Sequence, residues 1–237
     1  MSISKKVAIV QPYIFPYIGY FQLINSVDSF VFYDDVNFIK RGWINRNRVL
    51  FDGSDKLISI PLIKSSQNKL INEIEVNYGK EYDNVLTLIK AVYKKAPYYK
   101  DCIQLIEDVL SSRTYDSVAS LAAISVQKTQ LFLGIEKDFK VSSQDFPETR
   151  GLERATRLIE ITKLLNGKTY INPIGGKLLY EKGHFEKSSL KLQFIEPIYS
   201  EYKQFGSSFV QGLSIIDILM FNSKAKVIQM LNNYRLV

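Results

Sequence analysis

The chain of 237 residues holds one cysteine and one histidine. A single thiol excludes an internal disulfide and fits a reducing, cytoplasmic setting. One Cys and one His also exclude every zinc centre assembled from those residue types. Cys102 falls in the helical run CIQLIEDVL, where an inert, buried thiol is expected. No stretch reaches the roughly 18 apolar residues that a membrane-spanning helix needs. The longest apolar run near the end, 213–221, is interrupted by Asp217. The N-terminus carries two lysines before a strand-length apolar run, which is not a signal-peptide core. Linkers rich in Pro, Gly or Ser, low-complexity tracts and internal repeats are all missing, so residues 1–237 read as one domain.

What is present is ordinary in bulk and uneven in place. Hydrophobic residues make up 46% and charged residues 23%, as in a globular protein. The net charge of +7 favours anionic partners, although scattered, solvated lysines would give the same total. Aromatics are 13% of the chain, yet nine fall between residues 11 and 38. Basic residues concentrate in KRGWINRNR, 40–48, and in the series Arg150, Arg154, Arg157.

Periodicity orders the elements. A strand at 7–10 leads into a loop stiffened by Pro12 and Pro16, then a helix over about 20–27 and a strand at 29–33. NRNRVLF and KLISIPL flank the turn sequence DGSD and predict a hairpin. A short strand is expected at 73–77, and three helices over about 81–96, 98–110 and 117–133, the last capped by Asp116. Then come a strand at 139–141, a helix from 147 to about 165, strands at 169–171 and 190–195 around a short helix, and a helical region at 213–231 broken near 222. The alternation implies an α/β fold: a mainly parallel, Rossmann-like sheet with flanking helices, a β-hairpin and a mostly helical insertion at about 80–135.

Five groups are candidates for function. Gln11 stands at the end of the first strand, where open α/β sheets bind ligands, and the helix after it can favour an anion. Arg46 and Arg48 are two apart and share a strand face, with Asn45 and Asn47 opposite. Such arginines can grip phosphate with two hydrogen bonds, and Trp43 can stack on a ring. A charged hairpin edge that blocks aggregation would look the same. The patch is short and lacks a nucleic-acid motif, so nucleic acid is not the expected partner. Asp34 and Asp35 follow a strand and could serve as a general base, or simply solvate a turn. Gly175 and Gly176 in NPIGGK could present backbone N–H groups to phosphate, though the spacing is not that of a Walker loop. Last come His184, the sole imidazole, Gln204, and Asp217, whose carboxylate in LSIIDILMF requires a partner or a cavity. No metal ligand set and no particular cofactor emerges.

The runs QPYIFPYIGYFQLI, DSFVFYDDVNFIKRGWINRNR, NPIGGKLLY and QGLSIIDILMFN together resemble the WbqC-like protein family over nearly the whole chain. The resemblance implies a setting in O-antigen or other surface-polysaccharide biosynthesis, and a glycine transferase acting on an amino sugar as the activity. PYIGY, 16–20, also resembles the HxGH element of nucleotidylyltransferases, with Tyr17 and Tyr20 at the histidine positions. Tyrosine cannot supply an imidazolium near neutral pH, which argues against adenylyl transfer by that route.

The expected protein is therefore a transferase placing a glycyl or other small acyl group on an amino sugar, expected to be nucleotide-linked. Its acyl donor, or a carrier protein holding that donor, would be separate. The expected contacts are Arg46 and Arg48 with the diphosphate, and Gln11, Tyr20, Trp43, Asn45, Gly175, Gly176, Gln204 and Asp217 around the substrate. Asp34, Asp35 or His184 would move the proton. The alternatives are a non-catalytic sugar-nucleotide or glycan-precursor binding protein, or a nucleotidylyltransferase-like enzyme.

Overall fold

Val7, Ala8 and Ile9 are fully or almost fully buried, with alternate residues packed into different cores. That is the signature of a strand covered on both faces. The computed structural model describes residues 4–237 and places this strand, β1 (Lys6–Val10), at the centre of a six-stranded sheet. The elements that follow are α1 (Ile18–Asn25), β2 (Ser29–Phe32), β3 (Arg46–Phe51), β4 (Ser54–Ser59), α2 (Lys80–Tyr93), α3 (Tyr99–Leu110) and α4 (Val118–Phe132). Then come β5 (Asp138–Val141), α5 (Ser142–Asp145), α6 (Arg154–Leu164), β6 (Thr169–Pro173), α7 (Lys182–Glu186), β7 (Lys191–Pro197), α8 (Ile215–Phe221), α9 (Lys224–Leu231) and β8 (Tyr234–Leu236).

The sheet order is β5-β2-β1-β6-β7-β8. All neighbours are parallel except β7 and β8. β3 and β4 form the separate antiparallel hairpin. The expected α/β class with a mainly parallel sheet is therefore the observed one. One face of the sheet carries a core shared by α1, the hairpin, α2–α4, α8 and α9. The other face is covered by α6 and α7, through Leu158, Ile159, Ile161 and Phe185. Among the described residues, no helix is long and apolar enough to cross a membrane.

Three local expectations need correction, and one strand was not expected. The stretch 73–77 is not a strand. A 3-10 turn at Ile71–Glu73 runs into it, where the Glu73 carboxylate accepts the Leu70 backbone N–H at 2.8 Å, and its only β pairing among the described residues is one isolated bridge from Val76 to Leu62. The single helix expected from 147 is split, because Gly151 takes φ +86° and Glu153 then caps α6 through the N–H groups of Ala155 and Thr156. Ser117, not Asp116, caps α4, by accepting from the Ser120 N–H. Finally β8, only three residues long, carries too little pattern to be read and closes the sheet edge antiparallel to β7.

Candidate functional site

After β1 the chain continues to β2 on one side, and β6 pairs on the other. This reversal is a topological switch point, and the crevice beyond the carboxyl ends of such strands is where open α/β sheets hold ligands. A cleft of about 960 Å³ lies there. β1 and its exit contribute Gln11. The exit of β2 contributes Tyr33 and Asp35, and the end of β6 contributes Asn172 with Gly175 and Gly176. Arg154 and Arg157 reach in from α6, and Asn37, Lys40, Gln67 and Asn68 from the loops around the hairpin.

Each of these groups has a local cause. Tyr20, buried in α1, donates its hydroxyl to the Gln11 carbonyl at 3.0 Å and so anchors the end of β1. Asn172 Oδ1 accepts from the Tyr170 hydroxyl at 3.3 Å. Its amide nitrogen lies so close to Gly176 that a Cβ there would sit 1.9 Å away. Glycine at 176 is thus a condition for the Asn172 orientation.

Asp35 is buried and bound on both oxygens. Arg157 Nη2 donates to Oδ2 at 2.6 Å, and the Ser142 hydroxyl approaches Oδ1 at 2.5 Å. Arg150 Nε stands 3.5 Å from Oδ2. Arg157 also donates to Thr149 Oγ1 at 3.1 Å and lies 4.9 Å over the Tyr33 ring. Burial disfavours the charged carboxylate. The hydrogen bonds from Arg157 and Ser142 and the Arg157 charge outweigh it, and hold the Asp35 pKa below the usual carboxylate value. A carboxylate held low in this way orients and pairs better than it takes up a proton. Asp34 is outside the cleft lining, with its Oδ1 3.0 Å from the same Ser142 hydroxyl. It accepts from the Ser143 N–H at 3.0 Å, the Ser143 hydroxyl at 2.6 Å and Asn72 Nδ2 at 3.2 Å, tying β2 to the start of α5.

Trp43, Arg46 and Arg48 form a second group outside the cleft lining. Arg46 and Arg48 do share a face, at 5.8 and 5.5 Å over the Trp43 ring, while Asn47 is buried on the opposite face. Tyr13 packs on the same indole with ring centres 6.2 Å apart. Arg46 donates to the carbonyls of Gly42 and Arg41, and Arg48 to Gly212 and Asp55. Asn45 donates to the Ile60 carbonyl at 2.8 Å and pins the hairpin base.

Asp217 lies in a third place. Its carboxylate accepts from Tyr93 at 2.9 Å, Tyr202 at 2.7 Å and Gln204 Nε2 at 2.7 Å, so the partner it requires is a set of three neutral donors. Burial raises its pKa above the usual value, against the pull of these three hydrogen bonds. His184 is exposed on α7. Tyr17 and Tyr20 of the PYIGY element are outside the cleft lining.

The structure thus gathers Gln11, Asp35, Gly175 and Gly176 from the expected set, and places Tyr20, Asp34, Trp43, Asn45, Arg46, Arg48, His184, Gln204 and Asp217 outside the lining. Sequence reasoning missed Arg154, Arg157 and Asn172 as site residues. The i,i+3 arginines at a helix start were the available signal. Among the described residues, no three His, Cys, Asp or Glu side chains converge as a metal site.

Fold and cleft together define a doubly wound α/β protein with a polar cleft at its switch point. The chain belongs to the WbqC-like protein family, whose model matches residues 11–229. It is 26% identical over 225 residues to the uncharacterized protein Rv1507c of Mycobacterium tuberculosis, an alignment covering 94% of this chain and 95% of that one. No solved structure matches it.

Proposed function

We propose that the protein is a transferase that places a glycyl or other small acyl group on the amine of a nucleotide-linked amino sugar, in the biosynthesis of O-antigen or a similar surface polysaccharide. The observation that carries this reading is the convergence of Gln11, Asn172 and Arg154 on one cleft at the switch point. Amide side chains both donate and accept, which suits sugar hydroxyls. Arg154 and Lys40 supply charge for a diphosphate. In the reaction the sugar nitrogen attacks the acyl carbonyl and a C–N bond forms. The bond to the leaving group breaks, and the proton lost by nitrogen departs with the expelled group. Asp35 orients the sugar through its fixed pair with Arg157.

One observation favours a second reading, a non-catalytic sugar-nucleotide binding protein. Asp35 is the one carboxylate among the cleft-lining residues, and its low pKa makes it a weak base. Calorimetry with nucleotide-linked amino sugars tests the common part. Arg154→Ala should weaken binding at least tenfold, about 1.4 kcal/mol. Unchanged affinity in a folded variant removes Arg154 and the diphosphate from the cleft. Mass spectrometry of the bound sugar after incubation with activated glycyl donors then separates the two readings: acylated sugar supports the transferase, and unaltered sugar with tight binding supports the binding protein.

A further inference from the structure

Three loops ring the mouth of the cleft, and each pairs exposed aliphatic side chains with cations. Ile39, 52% exposed, precedes Lys40 and Arg41. Leu152, 42% exposed, lies between Arg150 and Arg154. Leu178 and Leu179, 97% and 60% exposed, stand between Lys177 and Lys182. Ile39, Leu152 and Leu179 all line the one cleft, although they come from separate parts of the sequence.

A single exposed leucine is ordinary on a protein surface, but a ring of them around one opening is not. Leu178 has almost no protein neighbour to pack on, so nothing in the fold accounts for it. Acidic groups do share these loops. Glu153 is engaged as the cap of α6, and Asp35 is neutralised by Arg157. That leaves Glu148 and Glu181 against the exposed cations, and the rim stays basic in a chain of net charge +7.

We propose that this rim seats the protein on an anionic lipid surface. The aliphatic side chains enter the boundary between headgroups and acyl chains, and the lysines and arginines face lipid phosphates. Charge complementarity selects this occupant over a second copy of the chain, whose rim would present the same cations. The cleft then opens toward the bilayer, so that a ligand carried on a lipid reaches it without leaving the membrane. The seating holds whichever group, if any, the cleft transfers.

Co-sedimentation of the full chain with vesicles tests it. Vesicles of equal parts phosphatidylglycerol and phosphatidylcholine should bind the protein at least about tenfold better than phosphatidylcholine alone, and high salt should weaken binding. The double variant L178D/L179D should lose binding at least about tenfold while keeping its circular dichroism and melting temperature, because both side chains are exposed. Leu131→Asp, at an exposed leucine outside the rim, should bind as the parent does. The proposal is overturned by no binding to anionic vesicles, or by binding that L178D/L179D leaves intact. Equal losses in Leu131→Asp and in the double variant, or light scattering that shows a dimer which the double variant splits, overturn it as well.

Discussion

A few side chains decide whether the cleft is usable. Gly176 is the clearest, because the space a Cβ would occupy is already taken by the Asn172 amide. Gly176→Ala should displace that amide and weaken sugar-nucleotide binding by about tenfold, a loss of about 1.4 kcal/mol. The melting temperature should shift little, because the rearrangement is confined to one partly exposed turn. Calorimetry beside a thermal scan checks both halves of that expectation, and unchanged affinity would separate Asn172 from the ligand. Asp217 carries a different prediction. Burial sets its folded-state pKa above that of the unfolded chain, where an aspartate titrates near about 3.9. Its contribution to stability is therefore complete below that value and is lost as pH rises through the folded pKa. Asp217→Asn cannot ionise, so its urea midpoint should fall less than the parent's between acid and neutral pH. Parallel pH profiles for the two proteins would contradict the raised pKa.

The loop of residues 11–17 shows what an element needs when it has no ladder of its own. Phe15 sits at φ +39°, an uncommon conformation for a side-chain-bearing residue. Hydrogen bonds from three directions hold it there. Ser125 of α4 accepts the Phe15 N–H, and Ser214 at the start of α8 donates to its carbonyl. Asn47 of β3 donates to the carbonyls of both Ile14 and Phe15. Asn47→Ala would leave these buried carbonyls short of a donor, so it should cost about 2 kcal/mol in denaturant titration. A change within error would mean that the loop is held by its packing alone. This network also marks how far the sequence could be read. The strands, the hairpin and the helical stretch were legible because period-2 and period-3.6 patterns are local. Gln11, Asp35, Gly175 and Gly176 were legible as cleft residues because strand ends and glycine pairs in α/β chains have a known geometry. Asn45 looked like a ligand group but holds a backbone carbonyl, and Asp217 meets tyrosines more than a hundred residues away in one case. Partners at such separations leave no trace in a local pattern. Arg154 and Arg157 enter the site only because α6 packs on the sheet, which a one-dimensional reading does not place.

At the scale of the molecule, the cleft belongs to no single stretch of chain. Its lining runs from Ile9 to Tyr180, and the two sides meet through the β1–β6 pairing and the Arg157–Asp35 ion pair. A chain ending at residue 150 keeps β1, β2 and β5 but has neither β6 nor Asn172. It should show no cooperative thermal transition and no sugar-nucleotide binding; a sharp transition in that fragment would mean that the two halves are separable units. The same pairing has a consequence during synthesis. β1 pairs Val7 with Tyr170, so the strand at the centre of the finished sheet is made first and gains its second neighbour late. At roughly 5–20 residues per second, on the order of 10–30 s pass between the two on the ribosome. Through that interval β1 is a bare apolar edge, open to any other strand in reach. The nascent chain therefore carries an unpaired apolar strand edge well before its cleft exists.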